Sequence, residues 1–136
     1  MRQVVNYIPV QINPEIKVFI QRRTIEAPTR PGLFGLFGGG IEEGEDKITA
    51  LLRETYEELI YIPNQEKLQY LGNYFDEENT QKDIYYEIVD TSFESKIEVF
   101  EGEYGAFLNK EEVTNSPDIS PSEKKALLDL FDKVKE

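Results

Sequence analysis

The sequence of 136 residues carries a formal net charge of −12 and contains no cysteine and no histidine. This composition excludes disulfides, thiolate chemistry, zinc sites built on Cys or His, and nucleophiles activated by histidine. The length predicts a single domain over residues 1–136, and 39% apolar residues provide for a buried core. The chemistry left to the chain is that of carboxylates, hydroxyls, lysine, arginine and hard metal ions.

The acidic charge argues against a nucleic-acid polymer as partner, because a duplex-binding surface needs a basic stripe that displaces counterions. A small anionic substrate is compatible with this charge when a divalent cation mediates the contact. No apolar run approaches about 18 residues, so we expect no membrane partner. The N-terminal segment lacks the features of a secretory signal, which favours a cytoplasmic location. A monomer and a homodimer both remain open.

The first third of the chain is predicted to be rich in strands and loops. Two strands are expected at residues 4–12 and 16–20, with a turn at residues 13–14 between them. A loop rich in glycine and proline follows over residues 27–44, and a short strand is expected near residues 33–37.

The clearest predicted element is a helix over residues 46–60. At about 100° per residue, five side chains fall in one stripe of this helix. The stripe consists of Ile48, Leu51, Leu52, Thr55 and Leu59. Pro63 ends the helix soon afterwards.

Strands dominate the next predicted segment. Two are expected at residues 68–75 and 84–89, joined by a polar hairpin loop at residues 76–80. A weaker strand is expected within residues 97–108.

A C-terminal helix is predicted to begin at Ser120, because Pro121 occupies the first helical position and Glu123 completes a capping pattern. Its buried face is predicted to comprise Ala126, Leu127, Leu130, Phe131 and Val134. The order of strands, helix, strands and helix predicts an α+β fold. We expect an α/β/α sandwich in which helices flank a mixed sheet.

Three glutamates share one side of the predicted 46–60 helix. Glu54, Glu57 and Glu58 have the i, i+3, i+4 spacing and fall within about 100° of arc. Like charges at this spacing repel, and the nearby cation, Arg53, is expected to point away from them. A hard divalent cation is the usual compensation, because oxygen ligands suit Mg²⁺ or Mn²⁺. The alternative is a solvated acidic face on an ordinary amphipathic helix.

Glycines precede this helix at positions 38, 39, 40 and 44. Glycine lets backbone N–H groups approach a ligand closely, and beside a helix N-terminus such a loop is able to hold anionic oxygens. A glycine loop alone is usually only a turn. Its combination with the glutamate cluster at a fixed distance makes the pattern far more specific.

The segment from Gly39 to Tyr61, GGIEEGEDKITALLRETYEELIY, resembles the Nudix box, G-x5-E-x7-R-E-U-x-E-E-x-G-U, in which U is apolar. Six of its polar and glycine positions match: Gly39, Glu45, Arg53, Glu54, Glu57 and Glu58. Thr55 stands at the first apolar position and Ile60 at the late glycine. Because that glycine normally shapes the helix exit, Ile60 puts the exit turn in question without touching the carboxylates.

The resemblance implies a Mg²⁺-dependent pyrophosphohydrolase, with Mn²⁺ as the alternative metal. Glu54, Glu57 and Glu58 would hold one or more metal ions, and a carboxylate would accept the proton of the attacking water. Arg53 would orient a box glutamate, and Glu45 would hold either Arg53 or a metal-bound water. The Gly38–Gly39 backbone would supply a main-chain metal ligand, through Gly39, or a phosphate contact.

The likeness extends beyond the box to the strand before it, VFIQRR, at residues 18–23. This strand looks like that of mutator-type nucleoside triphosphate hydrolases, in which the last Arg contacts phosphate. Arg23 is therefore a candidate substrate-binding residue, and a solvated strand end is an equally weighted alternative.

A late loop at residues 101–107 can be aligned with a stretch of the mutator-type members that carries a further glutamate. In this chain that glutamate falls on Ala106. Glu101 or Glu103 would have to take its place as a metal ligand. A solvated acidic loop is the alternative for each of them.

The resemblance favours a nucleoside triphosphate, oxidised or unmodified, as substrate, with a nucleoside monophosphate and pyrophosphate as products. Three alternatives stay open: hydrolysis of a sugar nucleotide or dinucleoside polyphosphate, a Nudix-like module that binds nucleotides without cleaving them, and an acidic interaction or Ca²⁺-binding protein. Aromatic side chains are candidates for base stacking, although aromatic residues in strands are more often core. These candidates are Phe34, Phe37, Tyr74, Phe75, Tyr85, Tyr86 and Phe107.

Overall fold

The computed structural model describes residues 2–27, 31–99 and 103–135. In these residues the strands are β1 (Gln3–Gln11), β2 (Lys17–Arg23), β3 (Phe34–Gly35), β4 (Phe37–Gly40), β5 (Gln69–Phe75), β6 (Gln81–Val89) and β7 (Glu103–Leu108). The helices are α1 (Lys47–Leu59), α2 (Lys110–Asn115) and α3 (Pro121–Val134), and single 3₁₀ turns cover Gln65–Lys67 and Phe93–Lys96. None of the described helices is long and apolar enough to cross a bilayer.

The strands form one mixed seven-stranded sheet, as the predicted fold class requires. Its main order is β3-β2-β1-β6-β5, while β4 also pairs with β1 and β7 with β2. β1 and β6 run parallel, with Gln3 opposite Gln81 and Gln11 opposite Val89. The other pairs are antiparallel. β1 is therefore the central strand of the sheet, since it pairs with β2, β4 and β6.

Side chains of a strand point alternately to the two faces of the sheet. In this sheet both faces carry a buried core. Val5 and Tyr7 of β1 belong to a core under α1, together with Leu51 and Leu59 of that helix. The side chain of Ile8 lies on the opposite face, in a second core that includes Leu127 and Leu130 of α3. This arrangement is the α/β/α sandwich expected from the sequence.

α1 begins where the sequence predicts, because local signals define its start. The Asp46 side chain accepts a hydrogen bond of 2.7 Å from the Thr49 N–H, which satisfies one of the unpaired donors of the first turn. Leu51, Thr55 and Leu59 of the predicted stripe are buried, and Ile48 and Leu52 are partly buried. The Thr55 hydroxyl donates to the Leu51 carbonyl, so a polar residue is accommodated on the apolar face.

The C-terminal helix also follows its local signals. Ser120 caps α3, and four of the five predicted face residues are buried, with Val134 partly exposed. α2 was not predicted, because it is short and buries only Val113. Its start nevertheless carries a capping box between Asn109 and Glu112, a signal readable in the sequence.

The predicted glycine-rich loop contains two short strands, β3 and β4, rather than one. β4 lies against β1, with Gly38 opposite Asn6. Gly38 has a φ of 138°, and a Cβ there would collide with the Val5 carbonyl oxygen. Only glycine permits this close approach of the two backbones, which places β4 directly under α1.

Gly105 of β7 provides a stability test of the core under α1. A Cβ on Gly105 would overlap the buried ring of Phe19, which packs on Phe107 at 4.9 Å between ring centroids. We expect Gly105→Ala to lower the free energy of unfolding by about 1–3 kcal/mol through overpacking. Gly35→Ala is the matched control, because a Cβ there meets nothing within 4 Å. Denaturant unfolding of both variants tests this, and equal losses would contradict it.

Candidate functional site

The face of α1 beside its apolar stripe lies against the backbone of β4. Glu58 accepts a hydrogen bond of 2.6 Å from the Gly38 N–H. Glu54 lies one turn earlier, and its carboxylate contacts the backbone at Gly39 so closely that a Cβ on Gly39 would overlap it. The glycines of β4 therefore bring two of the predicted glutamates against the main chain.

Arg53 is the centre of the predicted cluster and does not point away from it, contrary to the expectation from helical geometry. Its Nη1 donates to Glu54 Oε1 at 2.9 Å and to Glu57 Oε1 at 3.0 Å. The long side chain curls along the helix because two acceptors outside the helix hold its other nitrogens. Glu45 accepts from Nε and Nη2 at 2.8 and 2.9 Å, and the Gly40 carbonyl accepts from Nη2 at 3.0 Å.

The site carries an excess of negative charge. One guanidinium faces the carboxylates of Glu45, Glu54 and Glu57, and that of Glu42 lies 3.6 Å from Arg53 Nε. The Arg53 hydrogen bonds, helped by the Glu42 N–H, lower the pKa of Glu45 to about 2, from an ordinary value of 4.5. Hydrogen bonds from Arg53 to Glu45 and Glu54 in turn raise the pKa of the guanidinium. Glu45 and Arg53 are therefore both ionised at neutral pH.

The donor set fits a hard cation in chemistry, although its carboxylates are not gathered around one point. Among residues 2–27, 31–99 and 103–135, no three or more acidic side chains are grouped so that they could hold a metal ion. Arg53 engages the Oε1 atoms of Glu54 and Glu57, while Glu58 is turned to the Gly38 N–H. The available donors are oxygens only, as Mg²⁺ requires, and Gly39 leaves the Glu54 carboxylate the space that a Cβ would fill.

Arg23 lies at the end of β2 beside a cavity of about 550 Å³. Arg22, Tyr104 and Asp118 also line this cavity, and Tyr104 is 50% exposed. The Arg22 guanidinium binds Asp118 at 2.7 Å and lies 4.5 Å from the centroid of the Phe34 ring. Two arginines thus meet at one concave surface of a strongly acidic chain. The α1 glutamates are not among the residues that line it.

The profile described as "NUDIX domain" matches residues 1–130. The chain belongs to the Nudix family. A search of curated protein sequences gave no match.

Solved structures share the Nudix fold over nearly the whole chain. A MutT protein from Methanosarcina mazei Go1 has a TM-score of 0.73 and 14% identity, over 99% of this chain and 96% of that one. A C. elegans Ap4A hydrolase has a TM-score of 0.75 and 15% identity, over 96% and 97%. The NUDIX domain of Shewanella oneidensis NrtR, solved with ADP ribose, has a TM-score of 0.75 and 15% identity, over 99% and 89%. These identities establish the fold alone.

The two departures from the Nudix box have different structural consequences. Thr55 is buried in the apolar stripe, as the box position requires. Ile60 ends α1 with φ 51° and ψ 43°, so the exit keeps the left-handed geometry that glycine adopts without strain. Its N–H donates to the Tyr56 carbonyl at 2.9 Å. The exit turn is therefore retained, at the cost of a strained β-branched residue.

The late-loop residues are placed only in part. Glu101 lies outside the described residues, and the backbone of Glu103 pairs with Arg23. Ala106, onto which the late glutamate of mutator-type members was predicted to fall, pairs with Ile20 inside the β2–β7 ladder. Whether Glu101 or Glu103 serves as a metal ligand stays a prediction.

Most of the aromatic candidates for base stacking are core residues. Phe34, Phe37 and Tyr86 are buried, and Tyr74, Tyr85 and Phe107 are half-buried. Phe75 is 50% exposed, but it lies on the edge strand β5. Tyr104, which the sequence reasoning did not single out, is the exposed aromatic residue beside Arg23.

Two buried carboxylates of β6 were also missed. Asp83 accepts hydrogen bonds from Tyr70 and Asn73 and pairs with Lys47 at 3.2 Å. Glu87 is 2% exposed and has hydroxyl and backbone donors around it. The sequence does contain a sign of them: the mostly apolar stretch DIYYEIV has acidic residues at its first and fifth positions. An acidic side chain in a buried strand must find hydrogen-bond partners within the fold.

The lowered pKa of Glu45 predicts a pH-dependent contribution to stability. A carboxylate with a lowered folded-state pKa stabilises the fold above its unfolded pKa and loses that effect as the pH falls through the folded value. We expect wild type to melt above Glu45→Gln at neutral pH, with the difference shrinking between pH 4.5 and about 2. Melting curves across this range provide the measurement. Glu77→Gln in the hairpin loop is the control, and a difference independent of pH would refute the assignment.

Proposed function

We propose that this Nudix protein is a Mg²⁺-dependent pyrophosphohydrolase that cleaves a phosphoanhydride bond in a nucleotide-like substrate. The observation that carries the proposal is the group of carboxylates that surrounds Arg53 under the glycine strand β4. One guanidinium does not neutralise these groups, so the site has a net attraction for a divalent cation and, through it, for a phosphate.

Mg²⁺ would be held by Glu54, Glu57 and Glu58, together with the Gly39 carbonyl, with Mn²⁺ as the alternative. When bound, the metal supplies Lewis acidity at a phosphoryl oxygen and activates water. Arg53 leaves the second oxygen of Glu54 and Glu57 outside its hydrogen bonds, because it donates to their Oε1 atoms. The carboxylates therefore need not lose the arginine in order to offer an oxygen to the metal.

Residues of the chain orient the metal ligands, accept the proton of the attacking water and contact the phosphates. Arg53 ties α1 to the loop at Glu45 and to the Gly40 carbonyl, and so orients Glu54 and Glu57. A box glutamate accepts the proton of the attacking water. The Gly38–Gly39 backbone and Arg23 contact the phosphates.

A nucleoside triphosphate, oxidised or unmodified, is the proposed substrate, cleaved to a nucleoside monophosphate and pyrophosphate. The cavity beside Arg23 supports this choice, because it combines cationic side chains with an exposed aromatic ring, Tyr104. A guanidinium suits a phosphate group and a tyrosine ring suits a base. The other candidate substrates are sugar nucleotides and dinucleoside polyphosphates. The fold shared with an Ap4A hydrolase is the reason for retaining dinucleoside polyphosphates.

A nucleotide-binding module without hydrolase activity is the second candidate function. Its support is the contact of Arg53 with Glu54 and Glu57, which already compensates part of their charge, and the fold shared with a NUDIX domain solved with ADP ribose. A panel of nucleotides with Mg²⁺ and product analysis separates the two functions. Turnover supports the enzyme, whereas a melting-temperature shift with no product supports the binding module.

Glu57→Gln tests the role of the most exposed of the three α1 glutamates, whose side chain is 57% exposed. We expect turnover to fall by several powers of ten, because a metal ligand is lost. The melting temperature should change little, because the amide keeps an acceptor for Arg53 and the weakened ion pair offsets the relieved repulsion. Glu77→Gln, in the hairpin loop, is the control and should retain wild-type turnover. Full activity of Glu57→Gln would remove this residue from the site.

Gly39→Ala tests the contact between β4 and Glu54. The added Cβ would overlap the Glu54 carboxylate and displace it. We expect the Mg²⁺ concentration for half-maximal activity to rise by about 10- to 100-fold, as for other residues that position a metal ligand. Gly40→Ala is the matched control, because its Cβ would meet only Arg2 at 4.0 Å. Similar Mg²⁺ requirements for the two variants would contradict this role of Gly39.

A further inference from the structure

The exit of α1 holds a β-branched residue in a backbone conformation that disfavours it. Ile60 has φ 51° and ψ 43° and is 40% exposed. Outside the glycines, only Asn79 shares a positive φ among the described residues. Asparagine tolerates this region because its side chain is short and polar, but isoleucine does not. Such a conformation persists only where surrounding contacts impose it.

Contacts on both sides of Ile60 hold the exit in place. Before it, the Leu59 carbonyl accepts a hydrogen bond of 2.9 Å from the Glu98 N–H. After it, the Tyr61 hydroxyl donates to Glu87 Oε1 at 3.1 Å, and the Asn64 N–H donates to Glu87 Oε2 at 3.0 Å. One carboxylate therefore receives two donors from the segment that leaves the helix.

Glu87 is itself rigidly placed. It belongs to β6 beside β1, is 2% exposed, and accepts a third hydrogen bond, of 2.5 Å, from the buried Tyr7 hydroxyl. Burial, followed by the charge and hydrogen bond of Glu87, raises the pKa of Tyr61 to about 12. The hydroxyl thus remains a donor at neutral pH. A buried carboxylate is costly unless it is well hydrogen-bonded, and these donors satisfy that requirement.

We propose that Glu87 is a positioning residue: it ties Tyr61 and Asn64 to the sheet and so holds the strained exit at Ile60. The exit fixes the last turn of α1, which carries Glu57 and Glu58, so the tie sets where these carboxylates lie. The functional part of this inference rests on the proposed hydrolase function. The coupling between Glu87 and Ile60 does not depend on it.

Glu87→Gln tests the contacts of Glu87 with Tyr61 and Asn64, with little change in the shape of the side chain. The amide keeps an acceptor for the tyrosine hydroxyls but presents a donor to the Asn64 N–H, so that bond is lost. We expect kcat, measured with Mg²⁺ and the best nucleotide of the panel, to fall by about 10- to 100-fold, the effect of a small misplacement of catalytic groups. Tyr61→Phe, which removes one hydroxyl only, should lose kcat in the same direction by a smaller factor.

Rescue by glycine separates positioning from general stability. Adding Ile60→Gly to Glu87→Gln should recover most of the lost kcat, because glycine adopts the left-handed exit without the tie. Asn79→Gly is the matched control, since Asn79 has a φ of 62° but lies in the hairpin loop between β5 and β6. It should rescue nothing. Unchanged kcat in Glu87→Gln, no rescue by Ile60→Gly, or equal rescue by both glycines would each overturn the proposal.

Melting temperatures test the coupling without any assay of activity. Ile60→Gly should raise the melting temperature more in the wild-type chain than in Glu87→Gln, because only the tied exit keeps the strain that glycine relieves. Equal shifts in the two backgrounds would refute the coupling. If wild type hydrolyses no nucleotide, the proposed function fails, and this comparison still decides whether Glu87 holds the exit.

Discussion

The side chain of Arg53 joins three parts of the chain that meet only in the folded protein. It binds Glu45 in the loop before α1, the Gly40 carbonyl of β4, and Glu54 and Glu57 on its own helix. A charged hydrogen bond to each partner is stronger than a neutral one, and several together fix the rotation of the helix over the strand. The close approach of Glu54 to the β4 backbone is therefore held by this guanidinium and permitted by the absence of a side chain at Gly39.

The same interaction accounts for how several carboxylates lie close together in this fold. Carboxylates at helical spacing repel one another, and an isolated helix with this pattern would be destabilised. Here Arg53 compensates part of the charge, and the Gly38 N–H compensates Glu58. The remaining negative charge is what a divalent ion would neutralise. The carboxylates are thus held in the fold by hydrogen bonds and still carry the excess charge on which the proposed metal binding depends.

Local signals explain which parts of the structure could be predicted from the sequence. The cap at Ser120 and the periodicity of each helix lie within a few residues, so both ends of α1 and the start of α3 were predicted to within one residue. In the fold, Glu54 and Glu58 of the box lie against the glycines of β4. The direction of Arg53 was wrong, because the helix alone cannot show that Glu45 and the Gly40 carbonyl compete for the guanidinium. The parallel pairing of β1 with β6 is equally non-local, and this pairing brings the Tyr7 hydroxyl to the Glu87 carboxylate.

Ile60 shows how a box position can change while its geometry stays. A glycine at a helix end supplies the left-handed turn from its own backbone, so the turn needs no outside support. With isoleucine the same turn must be imposed by neighbours, and the only polar group that reaches both Tyr61 and Asn64 among the described residues is the Glu87 carboxylate. The left-handed turn is therefore held by a buried hydrogen-bond network across β1, β6 and the helix exit, and not by the backbone freedom of a single glycine. A substitution in that network would act on the glutamates of α1 without touching them, which is the signature that distinguishes positioning from ligation.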